Sequence, residues 1–68
     1  MKIVLNGAAR EVAESTTISS LLEEVGLNSD RVVVEVNLQI IDRNNFESTF
    51  LKEGDQVELI GFVGGGKS

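Results

Sequence analysis

The chain has 68 residues and a net charge of −5, from 6 basic and 11 acidic residues, and it contains no Cys, His, Trp, Tyr or Pro. This length accommodates one domain with one core, and the lack of Cys excludes disulfides and cysteine-ligated metal sites. Without His and Cys the chain lacks the commonest general base and a common covalent nucleophile, so we expect no catalytic residues and no metal site.

The distribution of charged and apolar residues argues against nucleic-acid and membrane partners. The basic residues are scattered, whereas nucleic-acid binding needs a basic footprint. No apolar run approaches the ~20 residues of a membrane span, and residues 1–6 lack the long apolar segment of a signal peptide. We therefore expect a cytoplasmic protein whose acidic surface keeps it in solution or attracts basic partner surfaces.

The first predicted element is a β-hairpin. Residues 1–5 form a short apolar run of strand type, and Asn6-Gly7 follows at once. This dipeptide is the strongest short hairpin signal because a type I′ turn requires positive φ at both central residues. We predict the returning strand at residues 10–13, with Val12 facing the core.

The second element is an amphipathic helix over residues 18–25. Hydroxyl side chains at residues 15–17 are available for its N-cap, and Gly26 is placed to end it in the left-handed conformation. One apolar stripe at helical spacing defines its buried face, formed by Ile18, Leu21, Leu22 and Val25.

Three further strands are predicted at residues 31–36, 39–41 and 56–60, with a turn at Asn37-Leu38, an irregular stretch or single helical turn at 44–48, and a polar turn at 52–55. One helix with one apolar face requires one sheet against which to bury it. The order β-β-α-β-β-β therefore predicts an α+β fold of the β-grasp (ubiquitin-like) type, a mixed sheet of four to five strands packed on one helix. In this fold the first and last strands are parallel central neighbours. We expect residues 1–62 to form this domain and residues 63–68 a flexible Gly-rich tail.

The tail matches the pattern of a phosphate-binding loop. Residues 61–68 satisfy G-x-x-x-x-G-K-[ST] at every position. Such a loop binds phosphate because it opens a helix whose N-terminal N–H groups face the anion, and no helix-forming sequence follows here. A Walker B strand is also missing, so we do not expect nucleotide binding.

A second interpretation makes the tail itself the functional group. Glycine has no Cβ, so a tail built on Gly64, Gly65 and Gly66 is thin enough to enter a narrow active site of another protein. A terminal glycine carboxylate is sterically open to reaction with ATP, and the partner supplies the catalytic side chains. The alternative is an ordinary disordered tail.

Nearly the whole chain resembles the ThiS family of small sulfur carriers in thiamine biosynthesis, in a broader group with the MoaD-like small subunit of molybdopterin synthase. The matching segments follow one another in the family's order and spacing: residues 1–7, 17–22, 34–37, 43–46 and 51–58, and then the diglycine Gly65-Gly66.

The resemblance implies a mechanism that depends on partner proteins. A ThiF-like, E1-like adenylating enzyme would use Mg-ATP, which this chain itself does not hold, to adenylate Gly66. A cysteine desulfurase would supply the sulfur of a thiocarboxylate, and a ThiG-like thiazole synthase would accept that sulfur. Because Lys67-Ser68 follows the diglycine, a protease would first remove it. The alternatives are a MoaD-like carrier for molybdopterin or amino-acid sulfur transfer, and a non-catalytic β-grasp interaction module.

Strand periodicity predicts a docking surface. If the core-facing residues are Ile3, Leu5, Val34, Val36, Val57 and Leu59, the alternation turns Val4, Val33 and Ile60 outward. We predict that these three form one exposed apolar patch, extended by Phe62, which docks a partner; β-propensity alone is the other explanation for them. Six acidic residues would add either electrostatic steering or a solvated surface: Glu35, Asp42, Glu47, Glu53, Asp55 and Glu58.

Overall fold

The computed structural model describes residues 1–61 and contains five strands, one α-helix and two 3-10 helices within them. The elements are β1 (Lys2–Leu5), β2 (Ala8–Glu11), α1 (Ile18–Val25), a 3-10 helix (Ser29–Arg31), β3 (Val32–Val36), β4 (Gln39–Ile41), a second 3-10 helix (Arg43–Asn45) and β5 (Gln56–Gly61). The strands form one sheet in the order β2-β1-β5-β3-β4. Strands β1 and β5 are parallel and the other neighbours are antiparallel. The predicted mixed sheet of the β-grasp fold is confirmed.

The core lies between α1 and one side of the sheet. Ile3, Val34 and Val57 project from three neighbouring strands and are no more than 1% exposed, and Ile18 and Leu21 of the helix are fully buried against them. Burial of each such side chain contributes about 1.5–3 kcal/mol. The core is completed by loop residues that periodicity did not predict, chiefly Phe46 and Leu51.

Helix α1 has the ends that its sequence predicts. The Thr17 hydroxyl accepts a hydrogen bond from the Ser20 N–H at 3.1 Å, which satisfies one of the free donors of the first turn. Gly26 ends the helix in the left-handed conformation with φ +78°, and the Leu27 N–H donates to the Leu22 carbonyl at 2.9 Å. This geometry is the Schellman type of helix end, in which a glycine avoids the strain of a Cβ.

The returning strand of the first hairpin begins earlier than its sequence predicts. Leu5 pairs directly with Ala8, because the turn consists only of Asn6 and Gly7, so the predicted start at residue 10 is wrong. Val12 follows the strand and is buried as expected, with 6% exposure. By contrast, β3 begins one residue later than predicted, at Val32 instead of residue 31, since a 3-10 helix occupies the preceding residues.

The second hairpin has the backbone of the first but a different residue at its tip. Asn37 and Leu38, between β3 and β4, have φ values of +52° and +71°. The left-handed conformation costs a residue with a Cβ roughly 1–2 kcal/mol. Leu38 is 90% exposed, so no burial within the described residues offsets this strain.

Replacing Leu38 with glycine should stabilise the fold. We expect Leu38→Gly to raise the free energy of unfolding by about 0.5–1 kcal/mol, because relief of the strained φ exceeds the added entropy of a glycine in the unfolded chain. Leu38→Ala, which removes the side chain but keeps the Cβ, should change it by less than about 0.5 kcal/mol. Urea unfolding measures both values, and a less stable glycine variant would contradict the prediction.

Candidate functional site

Strand β5 connects the folded body to the predicted tail. It pairs with β1 at Gln56 and Val57 and with β3 from Val57 to Gly61, so it is the central strand of the sheet. The sheet therefore holds the chain by strand pairing up to Gly61, the last described residue. The predicted site residues Phe62, Gly64, Gly65 and Gly66 lie outside the described residues, as does the predicted domain boundary, and their roles stay predictions.

Asn6 extends the pairing of β5 beyond the point where β1 ends. Its N–H donates to the Val57 carbonyl at 2.9 Å, and its side-chain Oδ1 accepts from the Leu59 N–H at 2.8 Å. The Asn6 side chain thus supplies, beside Leu59, the acceptor that a carbonyl of a neighbouring strand would otherwise supply. The sequence identified Asn6 only as a turn residue, because a partner 53 positions away is visible only in the folded chain.

Asn37 fixes the other end of β5. Its N–H donates to the Gln56 carbonyl at 2.8 Å, its Oδ1 accepts from the Gln56 N–H at 3.0 Å, and its Nδ2 donates to Asp55 Oδ1 at 3.0 Å. The second oxygen of Asp55 accepts from the Lys52 N–H at 2.8 Å. One asparagine therefore joins the β3–β4 hairpin to the turn that begins β5.

Half of the six acidic residues named for steering have roles within the fold. Asp55 belongs to the network above, Asp42 accepts from the Asn44 N–H at 2.8 Å, and Glu53 accepts from the backbone N–H of Lys2 at 2.9 Å. By contrast, Glu35 and Glu58 lie directly opposite each other on β3 and β5. Their side chains project from the side of the sheet that faces away from the helix, since their strand neighbours are in the core.

The register separates the predicted docking residues. Val33 pairs directly with Ile60, which is 49% exposed, and we call these two the Val33–Ile60 patch. Val4, however, pairs with Gln56, so Ile60 lies four residues further along β5, about 13 Å away. The predicted patch is therefore corrected to the Val33–Ile60 pair, because periodicity fixes the face of a residue but not its position along the neighbouring strand. Docking at this pair stays a prediction.

Other kinds of site find little support in the described part of the chain. Residues 1–61 contain no group of three or more Asp and Glu residues placed to hold a metal ion, and no helix among them is long and apolar enough to cross a membrane. An open groove of about 280 Å³ lies beside α1, lined by Ser19, Leu22, Glu23, Leu27, Ser29 and Glu47. Two carboxylates, those of Glu23 and Glu47, are among its lining residues.

Comparison with known proteins gives one consistent result. The sequence model of the ThiS family matches residues 3–66. The sulfur carrier protein ThiS of Bacillus subtilis is 36% identical over 63 residues, which cover 91% of this chain and 96% of that protein. The crystal structure of the thiamine biosynthesis protein ThiS from Geobacter metallireducens has a TM-score of 0.83 and 36% identity, and the match covers 97% of this chain and all of that one.

A longer relative carries a different name. The thiazole synthase of Paramagnetospirillum magneticum is 39% identical over 66 residues, which are 97% of this chain but 20% of that protein. In a second protein named thiazole synthase, the segment that matches this chain makes up 21% of the protein. This chain therefore spans about a fifth of the length of these two curated relatives.

Removing the Asn6 side chain should loosen the end of β5. Asn6→Gly keeps the positive φ but leaves the partly buried Leu59 N–H without its acceptor, so we expect the free energy of unfolding to fall by about 1–2 kcal/mol and the Leu59 amide to exchange faster with deuterium. Asn6→Asp keeps an acceptor oxygen and should lose less than half as much. Equal protection of Leu59 in the wild type and the glycine variant would contradict this role.

Proposed function

Since this chain belongs to the ThiS family of sulfur carriers in thiamine biosynthesis, we propose that it carries sulfur as a thiocarboxylate on Gly66. Family membership and the likeness to a sulfur carrier protein support the prediction that this chain acts as a carrier. The observation that carries the proposal is the family match, which extends past the described fold and through the diglycine to residue 66. The central position of β5 supports it, because a tail that reacts inside another protein needs a rigid base.

The proposed reaction uses the backbone of Gly66 and no side chain of this chain. Hydrolysis of the Gly66–Lys67 peptide bond first frees the glycine carboxylate. That carboxylate attacks the α-phosphorus of Mg-ATP in an E1-like adenylating enzyme, which forms an acyl-adenylate and releases pyrophosphate. The persulfide sulfur of a cysteine desulfurase then displaces AMP, and reduction by a thiol leaves the thiocarboxylate. Glycine is suited to this chemistry because it has no Cβ to hinder attack at its carbonyl carbon.

Thiazole synthase is the proposed acceptor of the sulfur. In two proteins named thiazole synthase, a segment similar to this chain makes up about a fifth of the length. Covalent linkage of two modules raises their effective concentration for each other, which is useful when one module delivers a group to the other. The same transfer between separate chains requires a docking surface on the carrier.

The Val33–Ile60 patch is the proposed docking surface for the adenylating enzyme. Ile60 is a large apolar residue that is 49% exposed, and it lies one residue before the last described residue of β5. A partner that contacts this pair is therefore close to the start of the tail. Apolar residues exposed on a sheet face are common features of protein-binding surfaces.

The carrier function is tested by the intact mass of the protein. The chain is incubated with the adenylating enzyme and cysteine desulfurase of the same organism, Mg-ATP and a thiol, as residues 1–68 and as a variant that ends at Gly66. We expect the shortened variant to gain the mass of one oxygen-to-sulfur exchange, because only its Gly66 carboxylate is free. A Gly66→Ala version of the shortened variant should react much more slowly.

Three outcomes of this assay would contradict the proposal. A shortened chain that stays unmodified in the presence of active partners indicates a non-catalytic interaction module. A modified chain whose sulfur is accepted by a molybdopterin-type enzyme and not by thiazole synthase indicates the related carrier class. Modification of residues 1–68 without loss of Lys67-Ser68 would exclude Gly66 as the reactive end.

A charge placed in the Val33–Ile60 patch should weaken docking without unfolding the protein. We expect Ile60→Glu to reduce the affinity for the adenylating enzyme at least tenfold, about 1.4 kcal/mol, because docking would bury the new carboxylate. Phe50→Glu is the matched control, since Phe50 is 56% exposed and lies outside the sheet, opposite Thr17. Calorimetric titration that gives equal affinities for the two variants would contradict docking at this patch.

A further inference from the structure

A pair of like charges lies in the middle of the exposed side of the sheet. Glu35 on β3 and Glu58 on β5 are directly opposite each other, and opposite residues of an antiparallel pair have Cβ atoms about 4.5–5.5 Å apart. Like charges in this position destabilise a sheet. Neither carboxylate takes part in an ion pair within residues 1–61.

None of the five basic residues of the described chain forms an ion pair with Glu35 or Glu58. Lys52 lies in the turn before β5, six residues before Glu58. Lys2 projects on the same side of the sheet. Val4 pairs with Gln56, so Lys2 lies two residues before this pair and Glu58 two residues after it, about 13 Å apart along the strands. Arg31 precedes β3 and is likewise four residues from Glu35. Arg10 and Arg43 are paired with Glu24 and Asp30 elsewhere.

Apolar side chains border the two carboxylates. Ile40 of β4 lies directly opposite Glu35 and is 69% exposed. The Val33–Ile60 patch is two residues further along β3 and β5 on the same side of the sheet. A partner that covers these apolar residues would exclude water from the carboxylates. Removing an unpaired carboxylate from water costs binding free energy, unless the partner supplies a cation.

We propose that this surface binds a partner protein that presents an arginine from an apolar surface, with the guanidinium bound between Glu35 and Glu58. A guanidinium has five N–H donors in a planar fork and bridges two carboxylates, and it is more weakly hydrated than an ammonium group. Arginine is also enriched at the centres of protein interfaces. The identification of this partner with the adenylating enzyme rests on the proposed function.

The same charges exclude other occupants of the surface. A second copy of this chain packed face to face would bring two more glutamates against Glu35 and Glu58, and an anionic membrane would repel them. A partner with an apolar surface but no cation would bury both carboxylates unpaired. The pair therefore contributes to binding specificity, because it favours a partner with an arginine and lowers the affinity for partners without a cation.

The test separates binding from folding by neutralising both carboxylates. We expect the double variant Glu35→Gln/Glu58→Gln to raise the Tm by about 2–4 °C, because the repulsion is removed. We expect it to bind the adenylating enzyme about 10- to 100-fold more weakly, because the partner's arginine loses its acceptors. The affinity of the wild type should fall as salt rises, and that of the variant should change less.

The matched control is Glu14→Gln/Glu23→Gln, which removes two charges from exposed positions outside the sheet. This control should keep wild-type affinity, so that a local effect is distinguished from one of net charge. The inference is overturned if both double variants bind as tightly as the wild type, if both weaken equally, if the Glu35/Glu58 variant loses stability, or if sedimentation shows that the surface pairs two copies of the chain.

The assay also separates this inference from the proposed function. A variant that binds weakly but still forms the thiocarboxylate at saturating enzyme supports both. A wild-type chain that forms the thiocarboxylate while the Glu35/Glu58 variant binds normally overturns only the inference. If the wild type binds neither the adenylating enzyme nor thiazole synthase, used as the second probe, both are overturned.

Discussion

The burial of one helix face against one side of a five-stranded sheet determines the rest of this structure. The eight-residue helix α1 is the only α-helix of the described residues, so the apolar side chains of three neighbouring strands pack against the same helix face. Side chains on a strand alternate between its two faces. Because Ile3, Val34 and Val57 project into the core, the residues next to them along each strand project from the opposite face of the sheet, which partners can reach.

Two asparagine side chains add hydrogen bonds to the backbone of the central strand. Asn6 and Asn37 each occupy a left-handed turn position and each use the side chain to bind the backbone of β5. The parallel pairing of β1 with β5 is short, and Asn6 extends it along β5. Asn37 extends the antiparallel pairing of β3 with β5 to the start of β5. The result is a strand that is held along its length and leads to the glycine tail, which suits a protein whose proposed reactive group lies beyond its own fold.

Strain and repulsion in this small domain are concentrated on surfaces that face solvent. Leu38 adopts a left-handed conformation while 90% exposed, and Glu35 and Glu58 face each other across two strands. Neither arrangement stabilises the isolated chain. Features that lower stability without an internal benefit are typical of residues retained for contact with other molecules, whereas Asp42, Glu53 and Asp55 have direct structural roles.

The sequence by itself determined the helix, its caps, the first hairpin turn, the β-grasp class and the resemblance that identified the diglycine, because each depends on local spacing or on residue type. Only the tertiary structure decided which outward residues are neighbours. Periodicity placed Val4, Val33 and Ile60 on one face, but the parallel register set Val4 about 13 Å from Ile60. Register depends on pairing between distant segments, and the Glu35–Glu58 pair and the Asn6–Leu59 bond arise from the same pairing.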